Sequence, residues 1–451
     1  MDDKIFREYD IRGVTPTQIN DSVAYTIGKS YGSYIKKKYN QDKCIVSRDN
    51  RLTSESIAMN LIKGILETGV SVIDYGLTTT PMNFYARKLN NLYGIMVTAS
   101  HNPKDDNGFK FSFGGPTNAS GKQIEDFKKF TFAGNFLSGE GTYTKDDIFD
   151  KYLQYLKMNI NLGVKQIKVI VDPGNAATSP FIRKIFQNFN IDFIIINEDN
   201  DGNFPNHHPD PAVKENLKQL KNAVLENNAD LGIAYDGDGD RIGFVKNNGE
   251  YLSTEDFMTV IIKDIFYKVT NKTFLYDVKC SKSLEDEIKK LGGNAYEYKT
   301  GASFTQKEVH EKNLPFGGEF SGHIFFRDRV DDYGSAIYAS LRLVEILSKN
   351  EKNITELTSN IPKYFTSEEI KIETSDEKKL FIVENIKKYC DEKSIYCKKI
   401  DGVKMLFKEG WALIRASNTG PNLILRCEAN SNEALEKLTT HFTKLINKFN
   451  V

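Results

Sequence analysis

Ile167-Lys168-Val169-Ile170-Val171-Asp172-Pro173-Gly174-Asn175 is the stretch on which the reading of this chain turns. Its mostly apolar, β-branched first half reads as a buried strand, and Asp-Pro-Gly-Asn closes that strand with a turn. Helical spacing of apolar residues follows over 181–189, and 191–196 reads as a second strand. A strand, a turn, a helix and a returning strand make up the unit of an α/β sheet, because a parallel return requires a crossover. The same order occurs upstream, with a strand at 44–47, the turn Arg48-Asp49-Asn50, a helix over 54–68 and a strand at 70–75. It occurs again downstream, with a strand at 273–278, the turn Lys279-Cys280-Ser281, a helix over 284–291 and a strand at 295–298. This recurrence predicts three consecutive domains built on one plan.

Toward the C-terminus the pattern changes. A helix over 380–393 precedes short strands at 403–407, 411–415 and 423–428, and a helix over 433–449 ends the chain. Short turns between those strands favour an antiparallel sheet in a smaller α+β domain. Turns and polar stretches near Thr144, Gly249 and Thr366 predict domains over residues 1–144, 145–249, 250–366 and 367–451. A chain of 451 residues is in any case too long for one hydrophobic core.

Composition narrows the partners. Lys+Arg 61 balance Asp+Glu 61, so no long-range field draws in nucleic acid or an anionic membrane, and an anionic ligand must be held by local groups. The five cysteines, Cys44, Cys280, Cys390, Cys397 and Cys427, show no Cys-x-x-Cys pair and fit neither a disulfide framework nor a zinc site. They read as buried apolar residues in a reducing compartment. Met1-Asp2-Asp3-Lys4 lacks the order of a signal peptide and no apolar run approaches spanning length, so a cytoplasmic protein with no membrane and no nucleic-acid partner is expected.

Chemistry concentrates in a few runs. In Thr98-Ala99-Ser100-His101-Asn102-Pro103, a strand at 93–97 ends just before Ser100 and Asn-Pro forces a turn, which places the hydroxyl at a strand edge beside open space. His101 and Lys110 are near enough in sequence to accept a proton or neutralise developing charge. Taken alone, the run also describes residues that cap a turn.

Asp236-Gly237-Asp238-Gly239-Asp240-Arg241 is more specific. In an extended segment alternate residues project the same way, so the three carboxylates converge on one hard cation while the glycines let the backbone bend. A calcium helix-loop-helix would need Gly at its sixth position and Glu at its twelfth, where Arg241 and Asn247 stand, and a helix where 231–235 reads as a strand. A hydroxyl nucleophile together with a divalent-cation cage is the minimum equipment for moving a phosphoryl group through a covalent intermediate.

Two later loops add binding groups. Gly317-Gly318-Glu319-Phe320-Ser321-Gly322-His323 puts a carboxylate, a hydroxyl and an imidazole two apart, on one face if the loop is extended, which suits sugar hydroxyls and equally describes a glycine-rich hairpin. Arg415-Ala416-Ser417-Asn418-Thr419-Gly420-Pro421-Asn422 offers a guanidinium, two hydroxyls, an amide and turn N–H groups, a set suited to a phosphate dianion and also to an unliganded turn.

These four runs, in this order, together with Phe6-Arg7-Glu8-Tyr9-Asp10-Ile11-Arg12-Gly13, resemble the α-D-phosphohexomutase family, in particular its bacterial phosphomannomutase/phosphoglucomutase branch. The resemblance implies an α/β fold of four domains around a central cleft, three similar domains with mixed sheets plus a smaller C-terminal α+β domain. It implies that Ser100 is the phosphoserine, with Asp236, Asp238, Asp240 and a phosphate oxygen on Ser100 around Mg²⁺. Ser100, His101, Lys110, Arg241 and His323 would serve catalysis. Tyr9 and Arg12 would line the reacting end; Lys279, Glu319, Ser321 and His323 would hold the sugar; Arg415, Ser417, Asn418 and Thr419 would grip the phosphate already on the substrate.

The reaction so implied interconverts hexose 1-phosphate and hexose 6-phosphate, of mannose, glucose or both, with a hexose 1,6-bisphosphate as intermediate and activator, in a monomer or homodimer. Phe320 is closer to the Met of dual-specificity members than to the Gln of phosphoglucosamine mutases. Ala302, after Lys299-Thr300-Gly301, stands where dual-specificity members carry His, so the preferred sugar is left open. Three rivals remain at this level: a phosphoglucosamine mutase, a metal-dependent sugar phosphatase with an aspartate nucleophile, and a non-catalytic sugar-phosphate sensor.

Overall fold

A mixed sheet flanked by close-packed helices opens the chain. The computed structural model describes residues 1–115, 117–330, 333–418 and 420–450. They divide into two compact units, one formed by Met1–Phe257 with Ser321–Ser359, the other by Met258–Phe320 with the residues from Asn360 onward.

The first unit contains two mixed sheets. In the first, strand Lys43–Arg48 lies between Ser71–Leu77 and Tyr93–Val97, parallel to both, and Asp106–Phe111 runs antiparallel between Tyr93–Val97 and Ile11–Val14. Helices Asp21–Tyr39 and Ser54–Leu66 pack so closely that a Cβ at Gly28 would stand 2.1 Å from the Leu61 carbonyl oxygen, and one at Gly64 would stand 2.2 Å from that of Tyr25. Beneath the sheet Tyr31, Phe109, Phe111, Phe113 and Phe127 are fully buried and meet edge to face, tilted or, for Tyr31 and Phe111, stacked. Each such burial contributes about 1.5–3 kcal/mol, so these rings are a substantial part of the core that supports the sheet carrying Ser100.

The second sheet follows the expected unit: strand Ile167–Asp172, helix Ser179–Gln187 and strand Ile191–Ile195, with Leu231–Tyr235 parallel on the other side and Ile242–Lys246 antiparallel beyond it. Pro180 at the first turn and the preceding Asp-Pro-Gly-Asn turn explain why the helix begins two residues earlier than periodicity indicates. A strand pair, Ile324–Phe326 with Tyr333–Gly334, and the buried helix Ala336–Ser348 complete this unit.

In the second unit, strand Thr273–Asp277 pairs in parallel with Asn294–Tyr298 and Phe316–Gly318, with helix Lys282–Lys290 as a crossover. Its C-terminal part is an antiparallel sheet in which Asn422–Ala429 lies between Gly410–Ala416 and the short strands Phe365–Thr366 and Ile370–Glu373, with Val403–Leu406 and Cys397–Lys398 beyond Gly410–Ala416. Helices Asp376–Glu392 and Asn432–Phe449 supply Ile382, Ile386, Phe442 and Ile446 to its core. The chain therefore has three α/β domains with mixed sheets and a smaller C-terminal α+β domain, as its periodicity predicts. Four of the five cysteines are buried and Cys397 is half-buried; all are free thiols. Among the described residues no helix is long and apolar enough to cross a membrane.

Candidate active site

Strand Tyr93–Val97 ends at a tight turn that carries Ser100, and strand Leu231–Tyr235 ends at Asp236. Both loops leave the carboxyl ends of strands with parallel neighbours, where open α/β sheets place their ligands. They meet directly: a Cβ on Gly237 would lie 2.2 Å from the Ser100 carbonyl oxygen, so only glycine allows this approach. Ser100 has φ of 53°, in the left-handed region that non-glycine residues rarely occupy. Its Oγ donates to Asp236 Oδ2 at 2.8 Å and lies 3.3 Å from His101 Nδ1. Ser100 is only 1 % exposed, not open as its loop position predicts, because the aspartate loop packs over it.

The acidic run is a tight turn and not an extended segment. Gly239 adopts φ of 76°, and Asp236 Oδ1 accepts from the backbone N–H groups of Asp240 and Arg241, each at 3.0 Å. The curl brings ligand atoms of Asp236, Asp238 and Asp240 within 4.8 Å of one another, all three residues being buried. Strands Leu231–Tyr235 and Ile242–Lys246 flank the turn, which rules out a helix-loop-helix calcium site.

Lys110, on strand Asp106–Phe111, donates to Asp238 Oδ2 at 2.7 Å and Asp240 Oδ2 at 2.6 Å. Thr80 Oγ1 donates to the same Asp238 oxygen at 2.7 Å. Asp238 Oδ1, though buried, has no hydrogen-bond partner among the described residues. Burial, then the charges of Asp238 and Asp240, push the Asp236 carboxyl well above the usual carboxylate range. Burial opposes ionisation of Asp240 too, but Lys110 and His323 hold it well below that range. Burial alone would lower the Lys110 pKa; Asp238 and Asp240 outweigh it and raise it, so the ammonium stays charged. A carboxylate trio that remains short of positive charge with an ammonium already against it, and that keeps an orphaned buried oxygen, fits a divalent cation.

The remaining residues expected here surround this centre. Arg12 Nε donates to Asp10 Oδ2 at 2.7 Å, and its Nη1 reaches the Ala99 carbonyl at 3.2 Å and Asn102 Oδ1 at 2.9 Å. Tyr9 is half-buried and near enough to Arg12 and Arg241 to act on both electrostatically. The His323 ring lies between Ser321 Oγ, 2.9 Å from Nδ1, and Asp240 Oδ1, 3.3 Å from Nε2, with Arg241 Nε at 3.4 Å. Burial, then the cationic Arg241 and Arg12, drive the His101 pKa well below its ordinary value, so that ring is neutral near pH 7.

The second unit carries the other expected groups. Glu319 does not share an extended face with Ser321 and His323. The chain turns at Phe320 and Ser321, Gly322 takes φ of 93°, and Glu319 Oε1 accepts from the Gly301 N–H at 2.6 Å and Thr305 Oγ1 at 2.9 Å. Lys279 pairs with Glu369 at 3.0 Å and lies over the Phe320 ring. Arg415 is 4 % exposed; its Nε donates to Asp401 Oδ2 at 2.9 Å and its buried Nη2 has no hydrogen-bond partner among the described residues, a donor that suits an anion. Asn418 Nδ2 donates to the Thr300 carbonyl, and Ser417 N–H to that of Asn422. Thr419 lies outside the described residues.

Sequence reasoning missed Thr80, Asp10 and Arg51. Thr80 opens a helix with no motif to mark it, whereas Asp10 stands inside the run Phe6–Gly13 and Arg51 directly follows the turn Arg48-Asp49-Asn50, so both had a visible signal.

The four models of the phosphoglucomutase/phosphomannomutase family, α/β/α domains I, II and III and the C-terminal domain, match residues 3–136, 150–249, 254–365 and 369–445. The phosphomannomutase/phosphoglucomutase of Pseudomonas syringae pv. tomato is 38% identical over 97% of this chain and 94% of its own length. The phosphoglucomutase of Neisseria gonorrhoeae is 33% identical, with 98% and 96% covered. The crystal structure of a phosphoglucomutase/phosphomannomutase family protein from Burkholderia thailandensis superposes with a TM-score of 0.91 at 31% identity, covering 100% of this chain and 98% of that one. With all four domain models in order and relatives aligned nearly end to end, the chain belongs to the phosphoglucomutase/phosphomannomutase family.

Proposed function

We propose that this protein is a phosphohexomutase that interconverts hexose 1-phosphate and hexose 6-phosphate, of mannose, glucose or both, by way of phospho-Ser100 and a hexose 1,6-bisphosphate. The observation that carries the reading is the Ser100 hydroxyl, 2.8 Å from a buried aspartate of a cation-seeking trio.

In the forward half-reaction the bond between phosphorus and Ser100 Oγ breaks as one forms to the free hydroxyl oxygen of the sugar, and the hydroxyl proton passes to the neutral imidazole of His101. After the bisphosphate turns round, its other phosphate returns to Ser100 Oγ and the hexose 6-phosphate leaves. Asp236, Asp238 and Asp240, with a phosphate oxygen on Ser100, would hold Mg²⁺, which supplies charge neutralisation to the transferring group. Lys110 and Arg241 keep positive charge beside the serine oxygen, while Arg12 orients the loop behind it. Arg415, with Ser417 and Asn418, binds the phosphate that does not react, and Lys279 and Glu319 meet the sugar. A balanced net charge and the absence of a membrane-spanning helix among the described residues support small-molecule substrates and a cytoplasmic setting.

Intact mass after incubation with glucose 1,6-bisphosphate, followed by turnover on mannose, glucose and glucosamine 1-phosphates, tests this reading. An acid-stable phosphate on Ser100 and isomerisation are expected. An acid-labile acyl phosphate with net phosphate release would establish the phosphatase instead, and exclusive turnover of the amino sugar would make it a phosphoglucosamine mutase.

A further inference from the structure

Directly behind the nucleophile lies a side chain to which the mechanism above gives no part. Arg51, between strand Lys43–Arg48 and helix Ser54–Leu66, has a fully buried side chain. Its Nη2 donates to the carbonyl oxygens of Ser100 and Asn102, both at 2.7 Å. Its Nη1 donates to those of Asp106, at 2.9 Å, and Pro103. Nε faces Asp49 Oδ2 at 3.2 Å, and the Phe204 ring lies 5.5 Å from the guanidinium carbon. Asp49 is itself anchored by the Arg51 N–H and by Ser54 Oγ.

One guanidinium thus gathers four carbonyls from residues 100–106, which would otherwise repel one another as like dipole ends. Among them is the carbonyl of Ser100, whose strained left-handed backbone persists only where its surroundings impose it. We propose that Arg51 is a positioning residue for phosphoryl transfer: it knots the loop of residues 100–106 so that Ser100 stays left-handed with its Oγ on Asp236. The proposal rests on the mutase reading and deepens it. Lysine cannot take over, because an ammonium has three donors in a tetrahedral array where the guanidinium has a planar fork of five. The sugar-phosphate grip is untouched, since among the described residues the Arg51 side chain bonds only to the serine loop and Asp49.

Steady-state kinetics of Arg51→Lys and Arg51→Ala, with the rate of Ser100 phosphorylation by glucose 1,6-bisphosphate followed by quenched intact mass, test this. In Arg51→Lys, kcat falls by about 100-fold, the cost of a misplacement near 1 Å, and serine phosphorylation slows by a similar factor. KM for the hexose 1-phosphate changes by less than about threefold. Millimolar guanidinium ion restores Arg51→Ala by about tenfold or more, a recovery that a role confined to stability would not give. A folded Arg51→Lys with near wild-type kcat overturns the proposal, as does loss spread equally over kcat and KM, or an Arg51→Ala that guanidinium leaves unchanged. Should Arg51→Ala fail to fold, Arg51→Lys alone decides. Absence of mutase turnover in the wild type would sink the functional reading instead, and Ser100 phosphorylation would still judge Arg51.

Discussion

Ser100 and Asp236, 136 residues apart in sequence, share a hydrogen bond of 2.8 Å from hydroxyl to carboxylate. The bond aims the serine oxygen at the aspartate trio, so Ser100→Ala removes the phosphoryl acceptor without disturbing the Arg415 loop. Turnover should fall by roughly four orders of magnitude or more while calorimetric binding of hexose 1-phosphate persists. Substantial activity in that variant would show that another group carries the phosphate.

The trio's mutual repulsion makes a metal prediction. Saturating Mg²⁺ should raise wild-type stability, by about 2.7 kcal/mol at a hundredfold excess over Kd, and chelation should abolish turnover. In Asp236→Asn, which loses one of the acceptor oxygens that bond Ser100 and the turn N–H groups, Mg²⁺ should no longer raise the Tm. Differential scanning calorimetry with and without Mg²⁺ reads both; an undiminished shift in the variant would remove Asp236 from the ligand set.

Arg415 offers a buried donor with no hydrogen-bond partner among the described residues, so Arg415→Ala should weaken the substrate's phosphate contact by about 1.5–3 kcal/mol, a KM increase of about 10- to 150-fold, with a smaller change in kcat. An unchanged KM in initial-rate assays argues against the phosphate grip.

Gly237→Ala places a Cβ 2.2 Å from a backbone oxygen of the serine loop, where no flexible side chain can yield. Destabilisation of about 1–3 kcal/mol in urea unfolding, with a marked loss of kcat, is expected as the two loops are forced apart. Normal kcat would mean the loops separate without consequence.

His207 gives the pH dependence of stability. Burial lowers its pKa, but Asp172, accepting at 2.9 Å from Nε2, outweighs burial and raises it above the ordinary 6.5; Nδ1 faces the His208 carbonyl at 3.0 Å, so both ring nitrogens meet acceptors. A raised folded pKa means the stabilisation is fully present below pH 6.5 and lost as pH rises through the folded value. The Tm difference between wild type and His207→Gln should therefore be largest near the acid end of the stable range and shrink toward alkaline pH; a difference that grows with pH contradicts this pairing.

Much of this was legible in the sequence. Strands Ile167–Asp172, Thr273–Asp277 and Asn422–Ala429 lie where the apolar runs place them, because strand and helix periodicity is encoded in neighbouring residues. The aspartate loop was legible as a cation site from its residue types, but its shape was not: a tight turn replaces the extended segment because Asp236 Oδ1 captures two backbone N–H groups, a preference that alternation does not reveal. Likewise Glu319 bonds Gly301 and Thr305 on a neighbouring helix start, which its spacing from Ser321 and His323 could not foretell.

The sequence by itself determined the α/β order, the change to a smaller antiparallel C-terminal domain, and which residue types could form a nucleophile, a cation cage and an anion grip. Only the tertiary structure decided that Lys110 lies across Asp238 and Asp240, 128 and 130 residues away, that Ser100 is enclosed, and that Arg51 gathers the carbonyls of its loop. The physical reason is range: periodicity and turn chemistry act over a few neighbours, whereas these contacts arise where two separately formed sheets bring distant loops together and burial makes each unpaired charge too costly to leave unmatched.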